Sequence, residues 1–232
     1  MKVDLKIYRF DPDSKEQPRY DAFKIELPQG ETVLSALVKI YEECDPGLSF
    51  RFACSKIKCG ECAVMVNKSP CLACNRLIEP EMVLEPLPNL PVIKDLVIDR
   101  NKALNTAFQM APPLIELTKP GAGTADLQVI DEYIRFTGCY ECLICQSTCP
   151  VLKKQPGKFP GPLGLLWLVQ RKLTTKEKNN IGDVVWLCTG CGRCWKACPS
   201  EKKFLEPAIS GLLDEYKPGR SVKNTTNRKV TG

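Results

Sequence analysis

Val3–Phe10 alternates apolar and polar side chains, and so does Tyr20–Leu27 after the polar run Asp11–Arg19. Alternation of period two puts every second side chain on one face, so these stretches predict two strands joined as a hairpin. Glu31–Glu43 follows Gly30 with Val33, Leu34, Leu37 and Ile40 at helical spacing, which predicts a helix packed on that sheet. Alternation returns at Ala63-Val-Met-Val66. The prolines from Pro80 to Pro91 then predict repeated stops in regular structure and a domain boundary near residue 92. Beyond Asp95 the pattern turns helical, with Asp95–Phe108 and Asp126–Phe136 as helices on either side of Pro120-Gly-Ala-Gly123. The expected architecture is α+β: residues 1–92 as a strand-and-helix domain, 93–217 as a mostly helical one, and 218–232 as a basic tail carrying Arg220, Lys223, Arg228 and Lys229.

Composition changes this picture at one residue type. The 232 residues include 14 cysteines and no histidine, which excludes imidazole-based acid–base chemistry and imidazole metal ligands from this chain. No apolar core of signal-peptide length opens the chain, and the apolar run Leu163–Val169 is far short of a membrane span, so a cytoplasmic, reducing setting is expected. There, cysteines serve as thiolate ligands rather than disulfides. Lys and Arg outnumber Asp and Glu by 33 to 27, a formal charge of +6. The basic residues are scattered and no recognition motif accompanies them, so no nucleic-acid partner is expected. The excess suits either an ordinary solvated surface or compensation for four-thiolate clusters, each carrying a charge of about −2.

Cys139-Tyr-Glu-Cys142-Leu-Ile-Cys145-Gln-Ser-Thr-Cys149-Pro150 and Cys188-Thr-Gly-Cys191-Gly-Arg-Cys194-Trp-Lys-Ala-Cys198-Pro199 are the same motif twice, C-x2-C-x2-C-x3-C-P. This is the bacterial two-cluster ferredoxin signature, in which the fourth Cys of each run ligates the other cluster. One [4Fe–4S] set is therefore Cys139, Cys142, Cys145 and Cys198, and the other Cys149, Cys188, Cys191 and Cys194. Structural zinc is the alternative for paired C-x2-C motifs, although two complete copies with trailing prolines fit it poorly. Cys54-Ser-Lys-Ile-Lys-Cys59-Gly-Glu-Cys62 has the C-x4-C-x2-C spacing of a plant-type [2Fe–2S] loop. Spacing leaves its fourth ligand open between Cys71 and Cys74; the other, like Cys44, is expected to be a small buried hydrophobe. Trp167, Trp186 and Trp195 suit packing against water more than electron relay, and Tyr140 and Arg193 are candidates to hydrogen-bond cluster sulfur.

Cys54 to Cys62, Leu72-Ala-Cys74 and the segment Val83–Asp99 resemble the iron–sulfur subunit of succinate dehydrogenase and fumarate reductase, from the first strand to about residue 215. Pro160-Gly-Pro-Leu-Gly-Leu-Leu-Trp-Leu-Val-Gln-Arg171 resembles the helix that follows the family's first cubane run. The resemblance favours Cys74 as the fourth [2Fe–2S] ligand. It implies an N-terminal β-grasp ferredoxin domain and a C-terminal α-helical ferredoxin domain. It also implies an oxidoreductase of electron transport and the tricarboxylic acid cycle, in which a partner subunit with FAD interconverts succinate and fumarate. This chain would supply no catalytic residue; the [2Fe–2S] lies nearest the flavin, the Cys139 set in the middle, and the Cys188 set at the far port.

Two departures matter. Where the usual family member has a non-cysteine residue and a [3Fe–4S] cluster, this chain has Cys191, so the expected cofactors are one [2Fe–2S] and two [4Fe–4S] clusters, with a lower potential at the terminal carrier. Thr189 stands where the quinone-linked members carry His, and Val151-Leu-Lys-Lys154 lacks their Trp. The pattern resembles the non-classical, type E or thiol- and methylmenaquinol-linked enzymes. It implies a separate CCG-domain cysteine-rich subunit, or a membrane anchor, as partner and a peripheral place on the inner face of the cytoplasmic membrane. A free ferredoxin-like carrier and a subunit serving a flavoenzyme with another substrate are the competing functions.

Overall fold

The computed structural model describes residues 1–14, 16–111, 134–174, 181–200 and 203–217. It divides into two compact units, one of residues 1–105 with 139–148, the other of the described residues in 106–138 and from 149 onward.

In the first unit the two alternating stretches form the expected hairpin. β1 (Lys2–Arg9) and β2 (Arg19–Glu26) pair antiparallel from Lys2 opposite Glu26 to Arg9 opposite Arg19. Val3, Leu5 and Ile7 are buried while Lys2, Asp4 and Lys6 between them are exposed, as a strand with one covered face requires. α1 (Val33–Glu43) covers that face with Val33, Leu34, Ala36, Leu37 and Ile40. Thr32 caps it, its hydroxyl accepting the Ser35 N–H at 3.2 Å. β3 (Ala63–Val66) and β4 (Ser69–Leu72) make a second hairpin through Asn67 and Lys68, both at positive φ, the turn geometry that matches strand twist.

The proline-rich segment departs from expectation. β5 (Glu81–Glu85) is regular and central in a five-stranded sheet of order β2-β1-β5-β3-β4, parallel to β1 and antiparallel to β3. Pro80 and Pro86 flank it without entering it, so every ladder N–H survives, and Met82 and Leu84 alternate into the core. Pro70 is tolerated because β4 is an edge strand. A mixed sheet holding one helix is the expected β-grasp arrangement.

The helix expected from Asp95 starts later. β6 (Val92–Lys94) and β7 (Val97–Ile98) form a short ribbon first, and α2 is Arg100–Met110. Asp95 has φ 45° and a buried carboxylate that accepts from Phe10 N at 3.0 Å, Ser49 N at 2.9 Å and Arg9 Nε at 3.2 Å. It anchors loops instead of opening a helix. Arg9 also contacts Asp21 at 3.0 Å and Asp45. Burial alone would lower the Arg9 pKa, but the Asp45 and Asp95 carboxylates outweigh it and raise it.

α3 (Ile144–Ser147) belongs to the first unit. The second is helical: α4 (Pro150–Lys154), α5 (Gly161–Thr174), α6 (Ile181–Leu187), α7 (Arg193–Ala197) and α8 (Leu205–Tyr216). α8 buries Leu205, Ala208, Ile209, Leu212 and Leu213, a single stripe at helical spacing, against α5, α6 and α7. Most of the expected helix Asp126–Phe136, and all of the tail 218–232, lie outside the described residues. Among the described residues no helix is long and apolar enough to cross a membrane.

Candidate metal centres

The loop from Cys44 to Cys62, between α1 and β3, carries the first cysteine cluster. Left-handed backbone at Ser55, Ile57 and Gly60 curls it so that Lys56 N, Lys58 N and Cys59 N donate to Cys54 Sγ at 3.4, 3.4 and 3.3 Å. These amides, led by Lys56, hold the Cys54 thiol down to about 6, where a thiolate is ready to bind metal. The Cys59 thiol adds a smaller share to that lowering. Cys62 is buried and pushed up to about 12, chiefly by burial, and its sulfur meets Cys74 and faces Cys59. Ala73 N donates to Cys62 O at 2.8 Å, which carries Cys74 to that place. The structure thus brings Cys54, Cys59, Cys62 and Cys74 into one chain of contacts. Cys71 sits in β4 opposite Val64, where burial pushes it up to about 11. Cys44, expected to be buried, is exposed at the C-cap of α1. A cap position faces solvent once the helix's apolar stripe has ended at Ile40.

Cys139, Cys142 and Cys145 lie in the same unit, the latter two buried. Left-handed backbone at Glu141 and Leu143 shapes the run, and Glu141 N donates to Cys139 Sγ at 3.3 Å. A Cβ on Gly60 would stand 2.4 Å from Tyr140 O and 2.9 Å from Cys142 Cβ, so only glycine lets the first cysteine loop approach this run. Arg100, largely buried, ties the two loops together. It donates to Gly60 O at 3.4 Å and Glu141 O at 3.0 Å, and its Nη2 lies 3.5 Å from Glu61 Oε1. Asn89 Nδ2 donates to Ser147 O at 2.6 Å. Cys198, the remaining member of this expected set, lies in the second unit at the C-cap of α7, its thiol raised by burial and eased by the Ser200 N–H.

In the second unit, Cys149, Cys188, Cys191 and Cys194 line one cavity with Phe159 and Trp195. Cys149 is the extended N-cap of α4, ahead of Pro150 at the helix start, and the Val151 and Leu152 N–H groups partly offset the burial that raises its thiol. Cys188 follows α6, and Gly190 and Gly192 at positive φ turn the chain so that Cys194 comes back inside α7. Burial raises the Cys194 thiol strongly, and the nearby Cys188, Cys149 and Cys191 sulfurs add to it. Trp195 stacks on Gly192, where a Cβ would lie 3.0 Å from the indole, and Trp167 is buried in α5. Both indoles therefore pack. Trp186 is 61% exposed, with the Lys217 ammonium 5.1 Å from its ring centroid. Arg193 is exposed at the cavity rim, and Tyr140 contributes its carbonyl beside Gly60.

Among the described residues no three Cys, Asp, Glu or His side chains stand close enough to hold a single metal ion. The cysteine groups, around a cavity or along a loop with amides aimed at sulfur, offer the all-thiolate chemistry that iron–sulfur clusters take.

Known proteins agree with this chemistry. A 2Fe-2S iron-sulfur cluster binding domain matches residues 4–105, and a 4Fe-4S dicluster domain matches residues 135–201. The chain is 33% identical over 217 residues to the succinate dehydrogenase iron-sulfur subunit of Paracoccus denitrificans, covering 87% of this chain and 82% of that one. It belongs to the succinate dehydrogenase and fumarate reductase iron–sulfur subunit family. A second relative, a subunit of the fumarate reductase (CoM/CoB) of Methanothermobacter marburgensis, is 29% identical over 250 residues, covering 98% of this chain and 49% of the relative. Two further relatives are covered to 42% and 43%, so the chain spans about half the length of these proteins or less. A chain of the Mycobacterium smegmatis Sdh1 complex in the apo form shares the fold, with TM-score 0.76 at 23% identity over 94% of this chain and 99% of that one.

For a member of this family the expected α+β order, with a 2Fe-2S domain ahead of a helical 4Fe-4S domain, is borne out. Motif spacing does not reveal the basic side chains that tie these segments: Arg9, which holds Asp45 and Asp95, and Arg100 and Lys217, which bond the cysteine-bearing loops. Their partners lie far along the chain, and only a count of basic residues against cluster charge points toward them.

Proposed function

We propose that this chain is the electron-transfer subunit of a complex in which a partner flavoprotein carrying FAD interconverts succinate and fumarate. The observation that carries the reading is the meeting of Cys149 with Cys188, Cys191 and Cys194 around one cavity, which supports the crossed ligation that the doubled motif implies. Residues 1–92 would hold a [2Fe–2S] cluster on Cys54, Cys59, Cys62 and Cys74. Residues 93–217 would hold one [4Fe–4S] on Cys139, Cys142, Cys145 and Cys198 and another on Cys149, Cys188, Cys191 and Cys194. Bound clusters supply one-electron carriage between flavin and acceptor. The residues of this chain hold the irons, bury the distal site behind Phe159 and Trp195, and aim amides at sulfur; none acts as acid, base or nucleophile.

Cys191, with Thr189 in place of His, favours an acceptor other than a quinone bound beside a three-iron cluster. The name of the Methanothermobacter relative, a fumarate reductase qualified by CoM/CoB, supports a redox partner other than a quinone at that end. The partner at that end would be a CCG-domain cysteine-rich protein or a membrane anchor, with the complex in the cytoplasm or peripheral on the inner membrane face. Native purification with mass spectrometry of co-purifying chains and flavin analysis tests this. A flavoprotein together with a cysteine-rich subunit is expected; hydrophobic haem-binding anchors would overturn the acceptor reading, and no flavoprotein at all would overturn the complex.

A further inference from the structure

Lys217 closes α8, its backbone N–H bonded to Leu213 O at 2.8 Å, and only 2% of the residue is exposed. Its ammonium donates to Trp186 O at 2.6 Å and Cys188 O at 2.7 Å. Close packing delivers it there. A Cβ on Gly182 would already touch Tyr216 at 3.4 Å, and one on Gly190 would touch Leu213 at the same distance, so the end of α8 lies tight on α6 and the loop after it. The second of these carbonyls belongs to Cys188, which lines the distal cavity with Cys149, Cys191 and Cys194.

We propose that Lys217 is a positioning and tuning residue of the distal centre: it fixes the end of α6 that delivers Cys188, and its positive charge holds up the reduction potential of a cluster bound there. The inference rests on reading the four cysteines as ligands. Its physical basis is simple. An electron added to an all-thiolate cluster makes it more negative, so a buried cation nearby stabilises the reduced form, and removing the cation moves the potential down.

Potentiometric EPR titration of the purified complex, with Lys217→Gln and Lys217→Arg, tests it. Gln keeps two N–H donors without the charge; Arg keeps the charge. Lys217→Gln is expected to make the distal couple at least tenfold harder to reduce, about 59 mV more negative for a one-electron couple. The other two clusters should stay at wild-type potential, and Lys217→Arg should remain near wild type. An intact distal cluster in Lys217→Gln at the wild-type potential would overturn the proposal, and so would loss of that cluster in both variants, which marks a packing role alone. The underlying ligand reading is judged separately in the wild type, which should contain about ten irons for one two-iron and two four-iron clusters. A wild type with no second cubane signal overturns that reading before any variant is compared.

Discussion

The amino-terminal cysteine loop and the distal site both gather three closely spaced thiols and one from elsewhere, yet they stabilise sulfur differently. At Cys54 the backbone does it, with three N–H groups converging on one sulfur and the thiol brought down to about 6. At the distal site burial drives Cys149 and Cys194 the other way, as it does Cys62 in the first site, and a buried lysine stands behind Cys188. The difference follows from local structure. A loop with left-handed turns at Ser55, Ile57 and Gly60 has free amides to offer, whereas a helix spends its N–H groups on its own carbonyls and has only its first turn to spare. At the distal site amides come from first turns, as Val151 and Leu152 give to Cys149, and a buried lysine adds a positive charge behind Cys188.

The contrast can be broken from the amino-terminal side first. Cys54→Ala removes the sulfur that collects the amides, and should abolish the two-iron EPR signal while both cubane signals remain; an unchanged two-iron signal would remove Cys54 from the ligand set. Arg9→Met strands the buried Asp95 carboxylate and releases Asp21 and Asp45, costing about 3 kcal/mol in denaturant unfolding. A loss under about 1 kcal/mol would mean that Phe10 N and Ser49 N suffice for Asp95. Gly60→Ala puts a Cβ against Tyr140 O at positive φ, for about 2 kcal/mol and a thermal midpoint lower by about 4–8 °C. The smallest effect is at Tyr20, whose hydroxyl donates to Glu85; that bond and partial burial push its pKa up to about 12. The native state then holds a proton that the unfolded chain loses above about pH 10, so stability falls as pH rises from there towards 12. Tyr20→Phe should flatten that limb in unfolding curves measured across it, by little, because the ring is half exposed and water screens it.

What can be read from the sequence follows from how far each signal reaches. β1, β2 and α1 declare themselves because alternation and helical spacing are local. β5 is hidden because Pro80 and Pro86 read as interruptions, although prolines that flank a strand leave its ladder whole. Asp95 reads as a helix start, but its carboxylate is claimed by Arg9, 86 residues away, and by two distant amides. The doubled motif points to the distal foursome because ligand spacing is a chemical constraint written along the chain. Arg100 and Lys217 have no such pattern; the residues they hold are 40 and 29 positions away, and nothing near them in sequence marks the meeting.

The central claim is that Cys191 completes a four-iron site, and Mössbauer spectroscopy with EPR of Cys191→Ala against the wild type tests it most directly. The wild type should show two four-iron clusters beside the two-iron one, and the variant a three-iron cluster at the distal site with its potential moved up. A four-iron spectrum unchanged in the variant would contradict the account.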